Sequence, residues 1–104
     1  MSSELVIREE LSVNFVLVSI IGEIEIYTAQ KFKEKLYNIV DTYNMDLKID
    51  CRELNYIDST GLGIFVGALK KVKLLGRNIH LINLKDNIKK LFVITGLDKL
   101  FMIE

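Results

Sequence analysis

The feature that most constrains this 104-residue chain is a repeated change in the period of its apolar residues. Met45–Cys51 alternates strictly between apolar and polar residues, as a half-buried strand does. Between Phe32 and Tyr43, apolar residues recur every three or four positions, as in an amphipathic helix. Strands are predicted at Leu5–Ile7, Val13–Ile21, Met45–Cys51 and Ile79–Leu84, and helices near Thr28, Ser59 and Asp86.

The predicted order is β-β-α-β-α-β-α, with an apolar tail over Leu97–Ile103 that packs back as a strand or a short helix. Strand–helix–strand units make parallel neighbours, whereas the first two strands are close enough for an antiparallel pair with a turn near Asn14. This order predicts an α/β fold with a small mixed β-sheet of four to five strands.

Several boundaries follow from local signals. Val13–Ile21 reads as a strand that is buried on both faces and ends at Gly22, and Arg52–Asp58 reads as a loop. The Thr28 hydroxyl is predicted to cap the first helix and Asp86 the third, and Tyr27 and Phe32 to form a hydrophobic staple. Gly76 and Gly96 are predicted to end the second and third helices.

Composition excludes several classes of function. Fourteen basic residues balance 14 acidic ones, so bulk charge does not favour a nucleic-acid partner. One cysteine and one histidine exclude a disulfide framework and metal sites that need two imidazoles. The acidic N-terminus lacks a secretory pattern, and the apolar run Phe15–Ile21 is far shorter than the ~20 residues of a membrane span. We therefore expect a cytoplasmic protein without membrane contact or cofactor.

Two corners hold the candidate functional residues, because such sites gather where parallel strands end and helices begin. Asp58-Ser-Thr-Gly-Leu-Gly63 opens the second helix. Its polar side chains can serve simply as caps. Alternatively, its two glycines allow another surface to approach, and Ser59 stands where the helix dipole tolerates a phosphate. The other corner, Gly22–Thr28, contains Glu23 and Glu25, either as a catalytic pair or, preferably, as a solvated or partner-facing acidic corner.

The remaining candidates have ordinary interpretations. His80 reads as a strand residue rather than a member of a catalytic triad, and Cys51 as a buried apolar group. Lys70, Lys71 and Lys73 read as a solvated helix face. The dinucleotide, Walker and serine-hydrolase patterns all fail around Gly61. The residues therefore favour a switchable binding surface over an enzyme.

Three blocks carry a resemblance to a known family: Gly22–Ala29, Tyr56–Ile64 and Leu91–Leu97. In order and spacing they resemble the bacterial anti-sigma factor antagonists, which are stand-alone STAS domains. Because the resemblance covers essentially the whole chain, it implies a single STAS domain over residues 1–104. Glu25 stands where the family often has Asp.

The resemblance implies a mechanism and its partners. The unphosphorylated protein would bind an anti-sigma factor that is also a GHKL-type serine kinase, and so release the sigma factor. The kinase would phosphorylate Ser59 and end binding, and a PP2C-type phosphatase would reset the protein, a monomer or weak dimer. The implied partner-binding residues are Glu23, Glu25, Asp58, Thr60, Gly61, Leu62 and Gly63. Two alternatives stay open: a constitutive scaffold subunit of a stress-sensing or lipid-transport complex, which would use Thr60, and an enzyme using His80.

Overall fold

The computed structural model describes residues 4–104, in which strands and helices alternate in the predicted order. Residues 1–3, which the single-domain prediction includes, lie outside the described part. The strands are β1 (Leu5–Leu11), β2 (Phe15–Ile24), β3 (Asp46–Ile57), β4 (Ile79–Ile82) and β5 (Met102–Ile103). The helices are α1 (Ala29–Thr42), α2 (Ser59–Leu74), α3 (Asp86–Ile94) and a 3₁₀ helix over Leu97–Lys99. The tail thus contains both a short helix and a strand.

The five strands form one sheet in the order β1-β2-β3-β4-β5. β1 runs antiparallel to β2, and the other three pairs are parallel. Helices α1 and α2 make the first two parallel connections, and α3 with the 3₁₀ helix makes the third. The predicted mixed α/β sheet is confirmed.

All helices contribute to one core on one face of the sheet. Alternate residues of the central strands are fully buried, among them Val18, Ile49 and Leu81, while their neighbours are only half-buried. The prediction that the second strand is buried on both faces was therefore wrong, since its second face carries no helix. Phe65 of α2 lies at the centre of the core, within 5.3 to 6.2 Å, between ring centroids, of Phe32, Phe92 and Phe101.

Strand pairing moves several predicted boundaries. β1 continues to Leu11, beyond the predicted Ile7, because each of its residues pairs with one of β2. The turn is closed by the Ser12 N–H, which donates to the Phe15 carbonyl at 2.9 Å, so β2 begins at Phe15 rather than Val13. β4 stops at Ile82 rather than Leu84, because Asn83 takes the left-handed conformation, with φ 60°.

The predicted loop over Arg52–Asp58 is mostly strand. β3 runs on to Ile57, paired with the end of β2. Gly22 does not end β2 either; it lies beside a register shift, with φ +119°, and the strand continues to Ile24. A Cβ at Gly22 would stand 2.2 Å from the Glu4 carbonyl oxygen. Glycine at this position therefore permits both the backbone angle and the close approach of the two chain segments.

The predicted helix caps were correct at some ends and wrong at others. Thr28 occupies the N-cap position of α1, but its hydroxyl makes no cap hydrogen bond. Tyr27 is exposed while Phe32 is fully buried, so the predicted staple is absent. Asp86 lies within the first turn of α3, and the N-cap residue is Lys85.

At the helix C-termini, the two predicted glycines are left-handed, as expected. Gly76 follows α2, where the Arg77 N–H donates to the Val72 carbonyl and the Gly76 N–H to the Lys73 carbonyl, the Schellman pattern. Gly96 follows α3 with φ 76°. None of the helices within residues 4–104 is both long and apolar enough to cross a membrane.

Candidate functional site

The two predicted corners meet at the edge of the sheet where β2 and β3 end. These parallel strands remain paired to their last residues, Ile24 opposite Ile57. Beyond them, the Asp58 N–H donates to the Ile24 carbonyl at 3.3 Å. The segment that contains Glu23 and Glu25 therefore lies beside the start of α2.

The start of α2 uses one of its three polar side chains as a cap. Asp58 is extended, and its carboxylate accepts a hydrogen bond from the Gly61 N–H at 3.2 Å. Ser59 and Thr60 are exposed, and neither hydroxyl has a hydrogen-bond partner within residues 4–104. Capping therefore accounts for Asp58 and leaves two exposed hydroxyls in the first turn of a 16-residue helix.

The two glycines of this turn have different surroundings. A Cβ on the buried Gly61 would stand 2.6 Å from Ile57 Cγ1 and 2.8 Å from Ile24 Cγ2, so this glycine lets the helix start pack closely on the strand ends. Gly63 is exposed, with nothing within 4 Å of the position of a Cβ. Leu62 is buried in the core. Of the four predicted partner-binding residues from Thr60 to Gly63, only Thr60 and Gly63 lie at the surface.

The acidic corner is ordered by its own hydrogen bonds. The Thr28 hydroxyl donates to the Glu23 carbonyl at 2.8 Å and accepts from the Glu25 N–H at 3.0 Å. The Glu25 carboxylate accepts from the Tyr27 N–H at 3.1 Å. Both glutamates are partly exposed. Residues 4–104 contain no cluster of three or more His, Cys, Asp or Glu side chains that could hold a metal ion.

Sequence reasoning missed the exposed apolar side chains around this site. Ile26 and Tyr27, in the loop after β2, are 72% and 85% exposed, and Tyr56, near the end of β3, is 49% exposed. Grouped apolar side chains that remain in water are typical of a protein-binding surface. The sequence offers one signal for this surface, which is that apolar residues stand next to the two motifs. Tyr27 was instead predicted to form a hydrophobic staple with Phe32.

His80 lies far from this edge. It pairs with Lys48, near the start of β3, nine residues before Ile57, which is roughly 30 Å at 3.3 Å per residue. Its Nδ1 lies 2.6 Å from Glu104 Oε2, and its Nε2 3.6 Å from Asp46 Oδ2. A triad of Ser59 and His80 is therefore excluded by distance, and His80 is the strand residue that the sequence predicts.

Cys51 is fully buried in β3, as predicted. Burial, with a smaller effect of the neighbouring Asp50 charge, raises the pKa of its thiol to about 12. The group is therefore a protonated, apolar part of the core.

Comparison with known proteins agrees with this architecture. The STAS domain family matches residues 5–104. The anti-sigma-B factor antagonist of Bacillus subtilis (strain 168) is 44% identical over 84 residues, which are 81% of this chain and 76% of that protein. The anti-sigma factor antagonist SpoIIAA in its unphosphorylated form has a similar solved structure, with a TM-score of 0.79 and 19% identity over 95% of this chain and 88% of that chain.

The Bacillus cell fate determinant SpoIIAA in its phosphorylated form is also similar, with a TM-score of 0.72 and 19% identity over 95% of this chain and 91% of that chain. The structural likenesses show the fold, and the match over residues 5–104 together with the 44% identity shows the family. The chain belongs to the STAS domain family and, within it, to the bacterial anti-sigma factor antagonists.

Proposed function

We propose that this chain is an anti-sigma factor antagonist whose binding is switched off by phosphorylation of Ser59. In its unphosphorylated form it binds an anti-sigma factor that is a GHKL-type serine kinase, and a PP2C-type phosphatase restores that form in the cytoplasm. The observation that carries the proposal is the Ser59 side chain: exposed, without a hydrogen-bond partner in residues 4–104, and beside an exposed apolar surface.

The contact surface we propose surrounds Ser59. It combines the predicted residues that reach the surface with the apolar side chains that the fold leaves exposed beside them. Gly61 and Leu62 are buried, so their part is to hold the first turn of α2 in place. The proposed surface consists of Glu23, Glu25, Asp58, Thr60, Gly63, Ile26, Tyr27 and Tyr56.

A phosphate on Ser59 would change this surface and leave the interior unchanged. It adds about −1.5 to −2 charges next to Asp58. The N-terminus of α2 favours an anion by about 0.3–1 kcal/mol, and the exposed Ser59 hydroxyl has no hydrogen bond within residues 4–104 that a phosphate would break. Solved structures of SpoIIAA in both states support the expectation that such a fold tolerates the group. In an interface, a like charge costs several kcal/mol, and each 1.4 kcal/mol weakens affinity tenfold.

The test incubates the purified chain with ATP and the anti-sigma kinase of its own organism, followed by intact mass and site mapping. We expect one phosphate, on Ser59. The Ser59→Ala variant should remain unmodified and still bind the kinase, whereas Ser59→Asp should bind at least tenfold more weakly, with an unchanged far-ultraviolet spectrum. Thr42→Val, at an exposed threonine in the last turn of α1 outside this surface, is the matched control and should still be phosphorylated on Ser59.

Modification of another residue would refute the switch at Ser59. Equal affinity of the wild type and Ser59→Asp would support the alternative of a constitutive STAS scaffold. One observation supports the scaffold alternative, which would use Thr60. The Thr60 hydroxyl, like that of Ser59, is exposed and has no hydrogen-bond partner within residues 4–104.

A further inference from the structure

A groove of about 570 Å³ lies between the second half of α2 and the segment after α3. Its apolar lining includes Leu74, which is 89% exposed, and Leu100, which is 51% exposed. Its polar lining is entirely basic, without one acidic residue. We call it the α2 groove, and its lining residues are Val66, Leu69, Lys70, Lys73, Leu74, Lys99 and Leu100.

One face of α2 forms one wall of the α2 groove. Its lining residues, from Val66 to Leu74, follow the spacing i, i+3, i+4, i+7, i+8 of a single helical stripe. This stripe borders the core-facing one, which includes the fully buried Phe65 and Ala68, and shares with it Leu69, which is only 6% exposed. Val66 is partly buried and Leu74 is exposed, so this face of α2 runs from the edge of the core into solvent.

The lysines around the α2 groove have no acidic partner. Lys71, on another face of α2, pairs with Asp41 at 3.1 Å. Within residues 4–104, Lys70 and Lys99 form no ion pair, and the ammonium group of Lys73 donates a hydrogen bond only to the side-chain oxygen of Asn78. The helix dipole explains a lysine in the last turn, such as Lys73, but not the absence of carboxylates along the whole groove.

The α2 groove lies away from the Ser59 surface. Helix α2 begins at Ser59 and rises 1.5 Å per residue, so Val66 is about 10 Å and Lys73 about 21 Å further along the axis. A ligand in the groove therefore leaves the first turn of α2 free.

We propose that the α2 groove binds an amphipathic helix of a partner protein, with apolar residues on one face and acidic residues flanking them. Helices of this kind bind apolar grooves through side chains at i, i+3, i+4 and i+7. The apolar floor takes the apolar face, and Lys70, Lys73 and Lys99 pair with the flanking carboxylates. The concave shape fits a helix better than the flat surface of an anionic membrane.

A second copy of this chain does not provide such a helix. α1 carries three lysines and two acidic residues, α2 carries three lysines and no acidic residue, and α3 carries two lysines and one aspartate. Each of the three α-helices within residues 4–104 is thus net basic and would be repelled by the lysines of the groove. Charge complementarity therefore points to a different protein.

The test uses a synthetic peptide of about four helical turns (roughly 14 residues), with leucines at i, i+3, i+4, i+7 and glutamates beside them. We expect fluorescence anisotropy to show saturable binding. In heteronuclear NMR spectra of the chain, the shifted amides should be those of Val66, Leu69, Leu74 and Leu100. The variant Lys70→Glu/Lys73→Glu/Lys99→Glu should bind at least tenfold more weakly, and Leu74→Ala/Leu100→Ala should also lose affinity.

The matched control is Lys85→Glu/Lys89→Glu/Lys90→Glu, which makes the same charge change on exposed lysines outside the groove and should bind like the wild type. A peptide of the same composition in scrambled order should not bind. The proposal would be overturned if both triple variants lost the same affinity for the peptide, or if the scrambled peptide bound as tightly as the designed one. Either result would show that binding needs only charge attraction. Stronger binding to anionic phospholipid vesicles than to the peptide would also overturn it, in favour of a membrane.

This proposal does not depend on the switch at Ser59. Ser59→Asp should bind the peptide with unchanged affinity, and the groove triple variant should still be phosphorylated on Ser59. A failure of the peptide experiment therefore leaves the proposed function intact. Likewise, a failure of the phosphorylation experiment leaves the proposal for the α2 groove intact.

Discussion

At the scale of single residues, the first turn of α2 shows how one residue type serves two purposes. Gly61 is needed because side-chain carbons of Ile57 and Ile24 occupy the space where a Cβ would be. Gly63 has open space around it and leaves the surface beside Ser59 flat. Packing accounts for Gly61, whereas no neighbour within residues 4–104 requires glycine at position 63, as expected if the proposed partner approaches there.

The first prediction compares alanine at these two glycines. Gly61→Ala should lower the free energy of unfolding by about 1–3 kcal/mol, because the added methyl group overpacks the strand ends. Gly63→Ala should raise it by about 0.5–1 kcal/mol, because alanine is the better residue within a helix. Urea unfolding measures both values. If Gly63→Ala also destabilised the chain, the conclusion that open space surrounds Gly63 would be contradicted.

The second prediction concerns Cys51. With a pKa of about 12 and a fully buried side chain, the thiol should not react with Ellman's reagent at pH 8 in the folded protein. In concentrated urea it should react completely. Rapid reaction of the folded protein would show that the core opens around β3.

At the scale of elements, β1 is an edge strand that is joined to α1 by side chains. Lys35 Nζ of α1 lies 2.9 Å from Glu9 Oε1, and the Tyr43 hydroxyl donates to Glu9 Oε2 at 2.9 Å. The Lys31 ammonium donates to the Leu5 carbonyl. The hydrogen bonds from Lys35 and then Tyr43 lower the pKa of Glu9 below its ordinary value of 4.5. The ionised carboxylate is therefore the form that holds β1 to α1.

The third prediction is a pH dependence with a defined sign. Because the pKa of Glu9 is lower in the folded state, its contribution is complete above pH 4.5 and is lost as the pH falls through the folded value. Glu9→Gln should therefore reduce the urea midpoint at pH 7, and its difference from the wild type should shrink below pH 4.5.

Glu10→Gln is the matched control for this pH dependence. Glu10 is the next residue in β1, it is exposed, and it has no hydrogen bond or ion pair from its side chain within residues 4–104. Its replacement should leave the midpoint nearly unchanged at every pH. A pH-independent effect of Glu9→Gln would show that the ion pair is not what joins β1 to α1.

At the scale of the whole molecule, one aromatic side chain of α2 packs against the other two α-helices and the C-terminal segment, which backbone hydrogen bonds of the sheet do not join to α2. Phe65 contacts Phe32 of α1, Phe92 of α3 and Phe101 before β5, all in the core on one face of the sheet. The helices and the tail therefore pack as one layer. The Ser59 surface and the α2 groove lie at opposite ends of the helix that carries Phe65.

The fourth prediction follows from this position. Phe65→Ala should lower the free energy of unfolding by about 3–5 kcal/mol, because it leaves a cavity where three other rings meet. Val13→Ala, in the exposed β1–β2 turn, should change it by less than about 0.5 kcal/mol. Urea unfolding followed by circular dichroism measures both. A small effect of Phe65→Ala would mean that the helices do not share one core.

Which segments form strands and which form helices could be read from the chain itself, because the period of apolar residues is a local property. For the cap of α2 the sequence offered three polar side chains, of which the structure selects Asp58, whereas the turns at Gly76 and Gly96 are local and were predicted correctly. The same holds for the two motifs at the sheet edge, since a topological rule brings together the ends of neighbouring parallel strands. The motifs carried the family resemblance as well.

Features that depend on distant partners required the folded structure. The segment from Arg52 to Ile57 becomes strand because β2 lies beside it, and position 22 requires glycine because the Glu4 carbonyl lies where a Cβ would be. The Thr28 hydroxyl bonds to the preceding loop instead of capping its helix. The exposure of Tyr56 and Leu74 depends on which elements cover them, and no pattern of neighbouring residues contains that information. Periodicity identifies an element, but packing determines where it ends and which of its faces meets water.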